Sequence, residues 1–199
     1  SSDLVTKSAL VVRDIDLLAP MARDGLARVY VSVTTLQPEI ARTLEPRAAA
    51  PHRRLKAIRA LAEAGIATGV MVAPIIPALT DHEIEPILAA AADAGAVSAG
   101  FVLVRLPYEV KDLMTAWLDA HFPGRAAHVL SLIRQCREGR LNDPEFGSRM
   151  RGSGAFAQLI AQRFRAASRR HGFDRRQMPQ RTDLFRPPRP DGQMELFGG

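Results

Sequence analysis

The chain has 199 residues, 47% of them hydrophobic, which is enough for one sizeable core and short for two. Its single cysteine, Cys136, excludes a disulfide framework and a CxxC-type metal site, and no apolar run approaches a membrane span. The net charge of +6 comes from arginine, since lysine occurs only at positions 7, 56 and 111; an arginine-rich surface admits a nucleic-acid partner, and a compositional bias accounts for the same charge without one.

In chain order, residues 3–7 form a short apolar run, followed by a helical spacing over 13–24 with Ile15, Leu17, Leu18 and Met21 on one side and Gly25 as its stop. Residues 28–35, RVYVSVTT, are β-branched and read as a strand. After an Ala- and Pro-rich loop, HRRLKAIRALAEAG places Leu55, Ile58, Leu61 and Ala62 at helical spacing and closes on Gly65. The unit then repeats, with a strand over 66–75, a helix over 81–94 stopped at Gly95, and a strand over 98–105. Four strands alternating with glycine-closed helices predict crossovers of one hand and a parallel sheet.

Further along, helices are predicted over 110–121 and 126–138, the second of which makes Cys136 an ordinary buried or half-exposed thiol. A basic turn, LNDPEFGSRMRGSG, follows, whose Arg149 and Arg151 either contact a phosphate backbone or solvate the turn. The last predicted helix, 155–171, carries Phe156, Leu159, Ile160 and Phe164 as an apolar stripe. Residues 1–172 therefore read as the folded part, and 173–199 as a disordered Arg- and Pro-rich tail.

Parallel strands are buried on both faces and read as continuous apolar runs, which describes VMVAPII, and in such sheets ligands sit beyond the carboxyl ends of the strands. Pro74 and Pro77 are expected to end this strand and stiffen its loop. Thr80 and Glu83 have the spacing of a capping box, so Asp81, His82 and Glu83 read as helix-capping groups and dipole complements.

The other strand ends carry Lys7, the hydroxyls of Ser32 and Thr34, the small Ala73, and Arg105. Around one rim these suit a ligand bearing a carboxylate, a ribose and a flat base. Each has an ordinary alternative: Lys7 snorkels, Ser32 and Thr34 bond to backbone, Ala73 packs in the core, and Arg105 pairs with Glu109.

Taken together, VTKSALVVRDIDLL, VSVTTLQPEIARTLEPR, GVMVAPIIPALTDHE, SAGFVLVRLPYEVKDL and FGSRMRGSGAFAQLI make residues 3–172 resemble the C-terminal half of radical S-adenosylmethionine proteins of the spore photoproduct lyase-like, or DNA repair photolyase-like, group. The resemblance implies an α/β fold, a partial (β/α) barrel of which this chain holds the last four parallel strands. It implies S-adenosylmethionine and a [4Fe–4S] cluster as cofactors of the full-length enzyme, generating a 5′-deoxyadenosyl radical, with Lys7 on the cofactor carboxylate, Ser32 facing the ribose and Ala73 offering backbone to the adenine. Thr34 and Arg105 are further cofactor-binding candidates. The cluster-binding CxxxCxxC loop of that family is absent from the sequence, so the expectation is a fragment, inactive by itself, of a cytoplasmic enzyme acting on a nucleic acid.

The tail ends in GQMELFGG, and Gln193, Leu196 and Phe197 match the Q-x-x-L-F peptide with which bacterial repair proteins dock on the sliding clamp. Two other classes stay open on the residues alone. One is a (β/α)-barrel enzyme of aldolase type using Lys7 as a Schiff base; the other is a nucleic-acid-binding module built on the basic C-terminal third.

Overall fold

The computed structural model describes residues 2–146 and 148–174, together with 181 and 183. Four strands, β1 (Ser2–Thr6), β2 (Ala27–Ser32), β3 (Thr68–Ile75) and β4 (Ser98–Leu103), form one parallel sheet in the order of the chain. They alternate with α1 (Ile15–Arg23), α3 (Pro51–Glu63) and α4 (Ile84–Asp93), and a short α2 (Pro38–Leu44) is inserted between β2 and α3. A strand order that never reverses, joined by crossovers of one hand, sends every connecting helix to the same face of the sheet. The result is an α/β fold in the form of a partial (β/α) barrel, as the sequence predicts.

That helical face is the core. Val29, Val31 and Val33 on and just beyond β2, and Val70 and Val72 of β3, are at most 1% exposed and pack with Ala57, Ile58 and Leu61 of α3 and with Ile84, Ile87 and Leu88 of α4. Because side chains alternate along a strand, Tyr30, Ser32 and Thr34 point to the opposite, concave face. On that face Gly69 makes room for a neighbour, since a Cβ there would lie 2.3 Å from the Tyr30 ring. Gly25, Gly65 and Gly95 close α1, α3 and α4 at positive φ, the conformation their places in the sequence predict.

The C-terminal helices α5 (Val110–His121) and α6 (Pro123–Gln135) enclose a second apolar cluster over the strand exits, in which Ile76, Leu79, Val104 and Leu106 meet Met114, Leu118, Val129 and Ile133. The last helix, α7 (Gly154–Arg170), packs Phe164 against Phe101 of β4, with ring centroids 4.7 Å apart. Arg163 of α7 forks onto Glu85 of α4 at 3.0 and 2.7 Å and reaches Asp81. Its buried stripe is Ala157, Ile160, Phe164 and Ala167, whereas Leu159, expected inside, lies 48% exposed because the face turns toward 157 and away from 159. Phe173 continues the core past the helix.

Four local expectations are corrected. The segment expected as one helix over 13–24 opens as a 3₁₀ turn, Ala9–Asp14, because the Ser8 hydroxyl accepts from the Leu10 amide at 3.1 Å and starts the helical geometry early; Leu17 and Met21 consequently face solvent. The loop after β2 contains α2, which Pro38 begins at the first helical position, where its missing N–H costs nothing. Pro74 does not end β3. The strand runs on to Ile75, and the ladder with β4 shifts register between Val72 and Ile75, around a residue that has no N–H to give.

The capping box is also absent, and its two residues do other work. Thr80 Oγ1 accepts from the Ile76 amide at 2.9 Å, closing the turn after β3. Glu83, 4% exposed, reaches across to the β2–α2 loop, where the Thr35 hydroxyl donates to one carboxylate oxygen and the Leu36 amide to the other at 2.7 Å. A buried carboxylate with two donors joins two loops at the same end of the sheet. Replacing Glu83 with alanine is expected to strand both donors and cost about 1.5–3 kcal/mol of stability; a urea denaturation midpoint equal to that of the native chain would refute this tie.

Candidate functional site

The site lies where β1, β2, β3 and β4 end. Lys7 follows β1 directly, and its ammonium donates to Glu45 Oε1, with Thr34 Oγ1 at 3.5 Å. The Thr34 hydroxyl stands 2.9 Å from Glu45 Oε1 and 2.8 Å from the Ala73 carbonyl, so its single proton serves one of the two acceptors. Three strand ends are thereby stitched together by side chains after the backbone ladder has stopped.

Behind Glu45 stands Arg54, on the first turn of α3 and 2% exposed. Its Nε donates to the Ala49 carbonyl at 2.6 Å, one terminal nitrogen to the Ser32 carbonyl at 3.0 Å, and the other to Glu45 Oε2 at 2.6 Å. All three sides of this deeply buried guanidinium are paired, which offsets the cost of taking its charge out of water. Burial pushes the Glu45 carboxyl up, but the hydrogen bond and charge of Lys7, and then those of Arg54, outweigh that and leave it below the ordinary carboxylate range.

Of the residues expected at the rim, Lys7, Ala73 and Arg105 line one cavity of about 300 Å³, together with Pro74, Val102 and Met150. Arg105 has its Nε shielded from solvent with no acceptor among the described residues, and it forms no ion pair with Glu109 there. Thr34 sits beneath this cavity through its contact with the Ala73 carbonyl. Ser32 is 5% exposed, lower on β2, and does not line the cavity; its carbonyl is held by Arg54. Lys7 also borders a second, open recess with Thr6, Ser8 and Arg47.

The floor under Arg105 is set by another buried arginine. Arg137, 1% exposed after α6, donates to the carbonyls of Val104 at 2.9 Å and Arg149 at 2.7 Å, which ties the end of β4 to the basic turn; the Leu103 amide in turn donates to the Met150 carbonyl at 2.9 Å. Arg149 itself lies over the Phe146 ring. Cys136 is fully buried, and burial pushes its thiol up to about 11, so it behaves as a core residue.

Glu45, Arg54, Glu83 and Arg137 were not among the expected site residues. Arg54 carried a signal, since it occupies the same helical face as Ala57, Ile58 and Leu61, and a charge on an apolar stripe demands a buried partner. Glu45 had none, because it follows a helix too short to show a period.

A sheet of four parallel strands alternating with helices defines the class, a partial (β/α) barrel, and here its carboxyl end carries a cationic rim. Residues 3–91, from β1 into α4, match the family model of the Radical SAM superfamily. An uncharacterized protein of Mycobacterium tuberculosis is 31% identical over 134 residues, covering 66% of this chain, and one of Mycobacterium bovis is equally similar. An uncharacterized protein of Acidianus two-tailed virus is 42% identical over 72 residues, covering 36% of this chain and 23% of its own length. The chain spans 39% of the length of the mycobacterial relatives. Among the described residues no helix is long and apolar enough to cross a membrane.

The lowered Glu45 pKa gives stability a pH dependence with a definite sign. The contribution is complete above the carboxyl's unfolded value and is lost as pH falls through the lower folded value. Acid denaturation of the native chain is therefore expected to be steeper than that of Glu45→Gln, as followed by circular dichroism from pH 6 to pH 2; parallel curves would remove Glu45 from the acid response.

Proposed function

We propose that the chain is the C-terminal part of a cytoplasmic radical S-adenosylmethionine enzyme of the spore photoproduct lyase-like group, and that its rim binds the cofactor. The observation that carries this reading is the convergence of Lys7, Ala73 and Arg105 on one cavity, where two cations call for a counter-charge. A carboxylate-bearing ligand fits that demand. Lys7 and Arg105 supply the positive charge, Thr34 fixes the Ala73 carbonyl at the cavity wall, and Ser32 supports the strand below.

The cluster is a different matter. Among the described residues no group of three or more His, Cys, Asp or Glu side chains could hold a metal, and the sequence has one cysteine, so the residues present do not fit a [4Fe–4S] cluster. No step is assigned to it on this chain. Bound together with a cluster, S-adenosylmethionine supplies radical chemistry; this half of the site binds the ligand's acidic end and orients it.

A nucleic-acid substrate, in the manner of DNA repair enzymes, is part of the same proposal. The net charge of +6 and the exposed Arg165 and Arg169, one helical turn apart on α7, support it. In the full-length enzyme Lys7→Ala is expected to weaken S-adenosylmethionine binding by about 1.5–3 kcal/mol, the worth of a charged hydrogen bond, whereas Ser32→Ala, away from the cavity, is expected to leave it unchanged. Calorimetric titration of both variants measures this, and unchanged affinity in folded Lys7→Ala would take Lys7 out of the site.

The sliding-clamp peptide, Gln193, Leu196 and Phe197, lies outside the described residues, and docking through it is proposed on the sequence pattern alone. A peptide covering residues 189–199 is expected to bind a bacterial clamp with micromolar-class affinity, about −8 kcal/mol. The Leu196→Ala, Phe197→Ala peptide should lose that binding, since apolar anchors carry such interfaces; equal titrations would end the proposal.

A further inference from the structure

We propose that Glu45, fixed by Arg54, is the positioning residue of this rim: it holds the Lys7 ammonium at the cavity mouth so that its remaining N–H groups meet the carboxylate of an incoming ligand. The functional consequence rests on the reading of the rim as a cofactor site, whereas the holding of Lys7 does not.

The geometry carries the argument in three steps. Lysine is a flexible four-carbon stem, and the Lys7 side chain is 39% exposed, so nothing in its own packing would keep the ammonium in one place. Glu45 does so, and it is itself immobile because its other oxygen is held at 2.6 Å by an arginine only 2% exposed, which is anchored in turn on the Ser32 and Ala49 carbonyls. The chain of contacts therefore runs from the backbone of β2 and the turn before α3, through Arg54 and Glu45, to Lys7.

The second step is proton inventory. An ammonium has three donors; Glu45 takes one and the Thr34 hydroxyl lies at the limit of the second, which leaves at least one for the cavity that Lys7 shares with Ala73 and Arg105. The third step is charge. Glu45 is shared between Lys7 and Arg54, so these two cations and Arg105 against one carboxylate leave a net positive charge for the carboxylate of a ligand, and Glu45 is held too firmly by Arg54 to leave when that ligand arrives. Fixing the lysine beforehand removes an ordering cost from ligand binding.

The chain offers a direct readout because it has only three lysines, at 7, 56 and 111, of which Lys56 and Lys111 are exposed. Labelling with [ε-¹³C]lysine leaves all three N–H donors in place and gives one Cε signal for each lysine in a carbon–proton correlation spectrum, with Lys7→Arg assigning the Lys7 signal by its loss. The Lys7 signal is expected to stand apart from the other two and to be broader, to collapse onto them in Glu45→Gln, and to return in Glu45→Asp. A Lys7 signal unmoved in folded Glu45→Gln overturns the proposal. Should Glu45→Gln fail to fold, the native spectrum decides alone, since a Lys7 signal as narrow as those of Lys56 and Lys111 also overturns it. Adding S-adenosylmethionine to the native sample reads the cofactor assignment separately: movement of the Lys7 signal supports it, and no movement counts against that assignment while the Glu45 result stands.

Discussion

Buried charge at the carboxyl ends of the strands is the constraint around which this molecule is arranged. A parallel sheet in sequential order sends its helices to one face and its loops to one end, and those loops carry backbone groups that no ladder satisfies. Arg54, Glu83 and Arg137 are between 1% and 4% exposed, and each spends its hydrogen bonds on backbone or side-chain groups of a different loop. Removing one partner from such a set leaves a desolvated charge behind, so these ties constrain one another.

Pro74 marks a change of pairing at the same end. It has no N–H to give to the β3–β4 ladder, whose register shifts there, while on the β2 side the Ala73 carbonyl lies beyond the last strand pairing and is met by the Thr34 hydroxyl. The cavity wall is therefore a short side chain and an anchored carbonyl. Positive charge enters from the two sides, Lys7 from β1 and Arg105 from beyond β4, so that strands at opposite edges of the sheet face one space.

The chain order of strands and helices could be read directly, because apolar, β-branched strands and glycine-closed helices leave strong periodic patterns. Lys7, Ala73 and Arg105 could be placed at one end of the sheet for the same reason: once strand ends are located, topology brings them together. The side chains that hold the site could not. Glu83 has the spacing of a capping box and a wholly different partner, because a carboxylate three residues past a threonine satisfies the local pattern whether it turns back to its own helix or across to Thr35. Glu45 and Arg54 meet across nine residues of turn and helix start whose geometry no repeat encodes. Local pattern thus identified the elements, and long-range electrostatics, invisible to pattern, decided what their ends do.

Charge arithmetic links the site to the fold more tightly than the resemblance alone. A rim that presented Lys7 and Arg105 without a carboxylate nearby would repel itself and hold its cations loosely; one that paired both fully would have nothing left for a ligand. Here one cation is paired with Glu45 and positioned by it, while the other keeps a buried donor with no acceptor among the described residues. That division, one cation paired and one not, leaves net positive charge at the carboxyl ends of the strands. It also explains why an arginine is buried at the start of α3: Arg54 compensates the carboxylate that steadies Lys7, so that the binding charge at the surface is underwritten by an ion pair in the core.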